Sequence, residues 1–466
     1  MKQYAQGYDA VNLVADPVHG YIKITKRGHS GAAAAEQDLL DDPWLQRLRR
    51  IHQLQSAWWV FPGGEHSRFQ HALGAMHVAG EWARQLYPNL QKVARDTPSL
   101  PCVEETLRVA GLVHDVGHGP FGHFFDQNYL DEFSINHEDI GQTLVLGDLS
   151  QTIERLRSSP SGPLEKGEIV DSHAVAELMA AAPLPGWTPP RWVRLMKAVL
   201  NGVYTADNMD YVPRDAYMCG VTLGPVDIAR LMHYSFLGDE GLVLHQHGAQ
   251  ALLMFLNARL YLYNTIYHHR TVRRIDMHMR EIFRETIRQI LPGDPQIDLE
   301  PYLRLTDWSL IETVDRWQKE PGTLGELGRE WARIVRRELK WRLIFEDYYE
   351  FSNLSEDLPF SSPGLYESRI RAALPPELKD ASFEVDLASV DPRPQNPLSD
   401  PFPVKVYNPT SDSVEQSAVA DLFRRLPIRT TFVRVFTDET ERAEALRRCV
   451  EAALYRRDAP MAQAVP

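Results

Sequence analysis

Histidines and carboxylates are spread unevenly along this chain, in a pattern that could hold a metal ion. Eight of the 17 histidines fall between His52 and His137. In VHDVGHGPFGH, a helical pattern with Leu107, Ala110 and Gly111 on one face runs into His114, and Gly117, Gly119 and Pro120 then stop it. His114 and Asp115, adjacent where the chain leaves helical geometry, can both reach one cation. His71 opens another helix, whose same-face neighbours Gly74, Ala75 and Val78 are small enough for close packing. In TADNMDYVPRD, Asp207, Asp210 or Tyr211, and Asp215 share a face at helical spacing. Two imidazoles and two carboxylates make a mixed nitrogen and oxygen site. Such a site suits Mg²⁺, Mn²⁺ or Fe²⁺ better than a thiolate-rich structural zinc site does, with Zn²⁺ and Ni²⁺ left open. Arg68, three residues before His71, points along the same helical face, and its fork geometry suits phosphate oxygens. Taken singly, each feature has a plainer reading. An adjacent His–Asp pair is a hydrogen-bonded couple, His118 and His123 are core histidines bonded to carbonyls, and an arginine is a solvated surface residue.

These side chains need a scaffold, and the pattern around them is mostly helical. DPVHGYIKITKRG alternates apolar and polar residues, broken by glycine, as a short β-hairpin does. DDPWLQRLRRIHQL starts with acidic residues and a proline and then shows helical spacing. Helical periodicity continues through HALGAMHVAGEWARQLY, VEETLRVAGLVHD, HEDIGQTLVL, HAVAELMAA and PRWVRLMKAVLNG, and through one long run from Gly248 to Leu291. The stretches 158–167 and 183–190 read as loops. After about residue 292 proline rises, and acidic loops such as NLSEDLPFSSPG separate shorter elements. FPVKVYNP, a helical SAVADLFRRL, TTFVRVFTDE and a final helix then imply a small α+β lobe. The expected division is a large helical domain with its hairpin over 1–290 and a smaller mixed region over 291–466.

Bulk properties narrow the setting. A chain of 466 residues exceeds one compact core, and 44% apolar residues are ordinary for a globular protein. No stretch approaches the roughly 20 apolar residues that cross a bilayer, and MKQYAQGYDAVNLVADP lacks the basic and apolar regions of a secretory signal. Three scattered cysteines form no disulfide framework. The expectation is a cytoplasmic protein without a membrane partner. The net charge of -13 argues against a nucleic-acid partner, while basic clusters at Arg47–Arg50 and Arg270–Arg274 leave small phosphorylated ligands open.

The ordered stretches DPVHGYI, QRLRRIHQL, FPGGEHSRFQHALG, AGLVHDVGHGPFGHFFD, NHE and DNMDYVPRDAY, followed by Arg259 ahead of Tyr267 and His269, carry more than any single motif. The series resembles the HD-domain deoxynucleoside triphosphate triphosphohydrolases, which include the vertebrate SAM-and-HD-domain enzyme and bacterial dGTPase-like proteins. The resemblance covers about residues 11–280. It implies a mainly α fold, an HD-domain helical core with an N-terminal β-hairpin and a smaller C-terminal α+β lobe. It also implies release of a deoxynucleoside and inorganic triphosphate by water attack at the α-phosphorus. By the same resemblance His71, His114, Asp115 and Asp207 are the ligands of a divalent cation. His137, oriented by Asp126, handles the proton of the leaving oxygen, while His118 and His123 face the phosphates together with Arg68 and Arg259. Gln53, Leu54, Tyr211, Asp215 and Tyr267 match residues around the sugar, where a Leu54–Tyr267 wall would exclude a 2′-hydroxyl. Asp41, Gln46 and Arg49 match an activator-nucleotide site, and the family is generally dimeric or tetrameric, which implies a homo-oligomer.

Four positions depart from the family. Gln55 stands where glycine is usual, Asn208 replaces a basic residue, Asn12 replaces a lysine of the activator site, and Pro213 should kink its helix or confine it to a first turn. Two other functions share parts of this pattern. Another HD-type nucleotidase or phosphodiesterase has the metal site but does not need Arg68, Arg259 and Tyr267 together. A catalytically silent nucleotide-binding protein on the same scaffold would be marked by loss of a metal ligand or of the His137–Asp126 pair, and neither is lost.

Overall fold

The computed structural model describes residues 10–27, 33–351, 362–391, 404–415 and 429–454. The described part is mainly α-helical. Its N-terminal hairpin pairs Val11–Asp16 with Gly20–Thr25, in a register that sets Asp16 opposite Gly20. Asp16 Oδ1 closes the turn by accepting from the Val18 and His19 amides, each at 2.9 Å.

The Arg68–Val93 helix begins at a capping box between Ser67 and Gln70. It packs on the Leu100–Val113 helix so closely that a Cβ on Gly111 would meet the Ala75 carbonyl oxygen at 2.8 Å. The Ala206–Cys219 helix starts from a second capping box. There the side-chain Oδ1 of Asn208 accepts from the Thr205 backbone amide at 2.7 Å, and Thr205 Oγ1 accepts from the Asn208 backbone amide at 3.2 Å. Asn208 is therefore committed to holding the helix start beside Asp207. Pro213 does not confine this helix to a first turn. The helix continues to Cys219 because its flanking residues Val212, Arg214, Asp215 and Ala216 are buried, and their packing outweighs the cost of about 3 kcal/mol for an interior proline.

The run from Gly248 to Leu291 is two helices, Ala249–Leu262 and Arg270–Ile290, separated by a π-turn over Tyr263–Tyr267. Neither glycine nor proline marks this break. It is fixed from outside, where the Tyr267 hydroxyl donates to Asp215 Oδ2 at 2.5 Å. The expected loop at 158–167 contains a two-residue ribbon, Ser158–Ser159 against Gly162–Pro163.

One large hydrophobic core runs from Ile22 through Trp331 and Ile334 and includes Val406. A second joins Ile344, Tyr366, Ile370, Val433, Val435, Leu446 and Val450. It lies between the antiparallel sheet of Arg342–Phe351, Arg429–Thr437 and Glu384–Val390 and the helices Pro363–Ala373 and Ala443–Leu454. The two cores part near residue 340. Helices spanning 299–335 belong to the larger core because Tyr302, Leu310 and Trp331 are buried there, which the proline-rich and acidic texture of that stretch conceals. Lys405–Asn408 also returns to the larger unit, pairing in parallel with Gly241–His245. The expected helix SAVADLFRRL and most of the loop NLSEDLPFSSPG lie outside the described residues. Among the described residues no helix is long and apolar enough to cross a membrane.

Candidate active site

Three helix ends bring the mixed donors together. His71 comes from the first turn of Arg68–Val93, His114 and Asp115 from the end of Leu100–Val113, and Asp207 from the first turn of Ala206–Cys219. His71 Nε2 lies 3.2 Å from His114 Nε2 and 3.1 Å from Asp207 Oδ1. His114 Nε2 lies 3.3 Å from Asp115 Oδ1 and 3.7 Å from Asp207 Oδ1. Two ligands at right angles around a small divalent cation sit about 3 Å apart, so the spacings of His71, His114 and Asp115 fit one ion, with Asp207 Oδ1 beside both histidines. The tautomers fit as well. His71 Nδ1 is bonded to Asp210 Oδ2 and His114 Nδ1 to the Gly111 carbonyl, each at 2.8 Å, which leaves both Nε2 atoms for a metal. Burial opposes charge on His71, yet the Asp207 and Asp210 carboxylates raise its pKa to about 10, so a cation at Nε2 displaces a proton. Burial likewise opposes charge on Asp115. His114, Arg68 and His118 nevertheless hold its carboxyl well below the usual range, ready to serve as an anionic ligand.

A cavity of about 590 Å³ opens beside this cluster. Its lining includes Arg68, His114, Asp115 and Asp207, the cavity-facing His123 and His137, and further round Gln53, Leu54, Tyr211, Asp215, Arg259 and Tyr267. Arg68 Nη1 donates to Asp115 Oδ2 at 2.5 Å, and the arginine is buried. Gly122, at φ +55°, makes room for it, since a Cβ there would lie 2.2 Å from Arg68 Nη2.

The second histidine group stands next to the first. His137 Nδ1 is bonded to Asp126 Oδ2 at 2.6 Å, and His118 stacks on His137 with centroids 3.6 Å apart. His118 lies wholly inside, with Nε2 3.4 Å from Asp115 Oδ1. Burial, reinforced by the charges of Arg68 and His137, pushes its pKa well down and keeps the ring neutral. Ligand atoms of His118, His123, Asp126 and His137 lie within 4.8 Å of one another. Stacked rings, however, run their lone pairs side by side, so they do not converge on one cation.

At the other end of the cavity, Asp215 is gripped by His66 Nε2 at 2.9 Å and by the Tyr267 hydroxyl. Gln55 takes a left-handed backbone at φ +53° and lines the cavity. Asp41, Gln46 and Arg49 lie away from this cavity. Arg49 Nε donates to Gln46 Oε1 at 2.9 Å and its guanidinium covers the Phe69 ring, while Asp41 Oδ2 accepts from Arg27 at 3.1 Å.

Several residues outside the expected site hold it in place. The Tyr302 hydroxyl donates to the Gly117 carbonyl at 2.7 Å, and Arg47 Nη1 donates to the His118 carbonyl at 2.5 Å. Asp307 accepts from the Phe121 amide on Oδ1 and from the His52 amide and ring on Oδ2, each at 2.8 Å. These contacts fasten the loop carrying His118 and the turn at His52 to a segment that has no motif of its own. Asp210 was visible only as one of several residues on a helical face. It packs against Gly74, where a Cβ would lie 1.8 Å from Asp210 Oδ1. Gly74→Ala is therefore expected to cost about 1–3 kcal/mol of stability and to lower metal content, as read by denaturant unfolding and elemental analysis. Unchanged unfolding would show that Asp210 is free to move away.

Comparison with known proteins gives a consistent picture. The family model for the HD domain matches residues 68–210, and that for the HD associated region matches residues 226–362. An uncharacterized protein of Bacillus subtilis, YwfO, is 26% identical over 76% of this chain and 82% of its own length. The chicken (Gallus gallus) deoxynucleoside triphosphate triphosphohydrolase SAMHD1 is 27% identical over 85% of this chain and 67% of its own. A crystal structure of a hypothetical protein from Aquifex aeolicus shares the fold, with TM-score 0.67 and 22% identity over 94% of this chain and all of that one.

Proposed function

From the premise that this chain belongs to the HD-domain family of metal-dependent phosphohydrolases, we propose that it hydrolyses deoxynucleoside triphosphates to deoxynucleoside and inorganic triphosphate. The observation that carries this reading is one cavity lined by His114, Asp115 and Asp207 of the four-donor cluster, by His137 held on Asp126, by Arg68 and Arg259, and by Tyr267 fixed on Asp215. The relatives that bear the triphosphohydrolase name support it.

His71, His114, Asp115 and Asp207 would hold Mg²⁺, Mn²⁺ or Fe²⁺, and the bound ion supplies a more acidic water and polarises a phosphoryl oxygen. The chain's own groups do the rest. Arg68 and Arg259 neutralise phosphate charge, with Arg68 also bracing the ligand Asp115. Asp126 holds His137 by Nδ1, which turns Nε2 toward the leaving oxygen as a proton donor. Leu54 and Tyr267 close the sugar side, which favours a substrate without a 2′-hydroxyl. A homo-oligomer, and an activator nucleotide bound at Asp41, Gln46 and Arg49, belong to the same reading.

Incubation of each dNTP with Mn²⁺ or Mg²⁺ in ¹⁸O water tests it. The expected product is tripolyphosphate carrying the label. Orthophosphate or pyrophosphate as the first product would assign the cavity to a nucleotidase or phosphodiesterase of the same family instead.

A further inference from the structure

The turn of the N-terminal hairpin takes no part in the chemistry described so far, yet it is bonded to the back of the metal cluster. Asp210 is fully buried and its carboxylate accepts four hydrogen bonds. Oδ1 takes His19 Nε2 at 2.6 Å and Arg214 Nη2 at 2.8 Å, and Oδ2 takes His71 Nδ1 and Arg214 Nε, each at 2.8 Å. Arg214 Nη1 reaches on to Asp16 Oδ2 at 2.9 Å, and the other oxygen of Asp16 shapes the hairpin turn that presents His19. Both ends of the hairpin turn thus meet on the one carboxylate that orients a metal ligand.

We infer that His19 is a positioning residue of the metal centre, holding Asp210 so that Asp210 fixes the ring of His71 with Nε2 toward the cation. Four donors fill the lone-pair sites of a carboxylate and stop its rotation. Without His19, Oδ1 keeps only Arg214 Nη2, and the carboxylate is held less firmly in its present orientation. The His71 ring, still bonded through Nδ1 to Oδ2, is then fixed less tightly in direction. Partners of this kind outside the ligand shell change metal affinity about 10–100-fold when removed, and a residue acting one step further out belongs at the lower end. A residue that only staples the hairpin to the domain would affect stability and leave affinity alone. The inference rests on the reading that His71, His114, Asp115 and Asp207 hold a divalent cation, and it is independent of the substrate.

The test is Mn²⁺ titration of the full chain, followed by the EPR signal of free Mn²⁺, alongside the Tm of the metal-free protein. His19→Ala is expected to weaken Mn²⁺ binding about 10-fold. His19→Gln, which keeps an N–H donor, is expected to recover most of that loss. In an Asp210→Asn background His19→Ala should add nothing, because it acts through Asp210. Wild-type Mn²⁺ affinity in His19→Ala, whatever happens to its Tm, overturns the inference. So do effects of His19→Ala and Asp210→Asn that simply multiply. Should Asp210→Asn fail to fold, the contrast between Ala and Gln at position 19 decides alone. A protein that shows the expected Mn²⁺ behaviour but turns over no dNTP would retain this assignment and lose only the substrate.

Discussion

Replacing His114 or Asp207 by alanine is expected to strip the bound metal and abolish hydrolysis in a protein that stays folded. Both side chains converge on the same few ångströms between helix ends. Neither is part of the apolar core, and Asp207 is about one-third exposed, so truncation leaves the packing intact. Three donors would remain, a weaker site for a labile divalent cation at micromolar concentration. Loss of the ion removes both the acidified water and the polarisation of the phosphoryl oxygen, about 4 kcal/mol or more of barrier. That corresponds to roughly a 10³-fold fall in rate or greater. Elemental analysis and turnover on one preparation check it. Full occupancy in both variants, or near-normal turnover, would falsify the ligand assignment.

His137→Ala is expected to lower kcat by ~10²–10⁴-fold while metal content and KM change little. His137 is outside the four-donor cluster, lines the cavity, and is bonded through Nδ1 to Asp126 at 2.6 Å. A carboxylate on one ring nitrogen supports the charged imidazole and directs the other nitrogen, as a general acid requires. Burial opposes charge on Asp126, yet hydrogen bonds from His123 and His137 hold its carboxyl far below the ordinary range. It therefore stays anionic through the working pH. Asp126→Asn should show a milder form of the same defect. If His137 merely starts the His137–Leu146 helix, the variant would lose melting temperature and keep its specific activity. Measuring Tm, metal content and kcat together separates the two roles.

Much of this protein was legible in its residues. Helix periodicity located the elements that carry His71, His114 and Asp207, because amphipathic spacing and caps such as Ser67 and Thr205 are local signals. The candidate donors came from the resemblance carried by the ordered motifs, since an adjacent His–Asp pair taken singly has a plainer reading, and the fold brings them within a few ångströms of one another. The hairpin likewise followed from alternation around a glycine turn. The chain break at Tyr263–Tyr267 was not legible, since no residue there forbids helix and the π-turn is imposed by Asp215 from another element. The passage through Pro213 was hidden for the same reason, because local propensity yields where buried neighbours hold the helix.

What the sequence offered by itself is therefore a set of candidate donors and the helices that carry them. Which partners those donors have was decided only by the tertiary structure. Asp210 on His71, His19 on Asp210, Tyr302 on Gly117 and Asp307 on Phe121 join positions up to 191 residues apart. A hydrogen bond depends on two groups meeting at about 3 Å, and no local pattern encodes a meeting whose two halves are folded into place by separate parts of the core. The segment after residue 290 shows this most plainly. It carries no catalytic motif, yet its Tyr302 and Asp307 hold the loop on which His118 sits, because burial of a shared core brought them there.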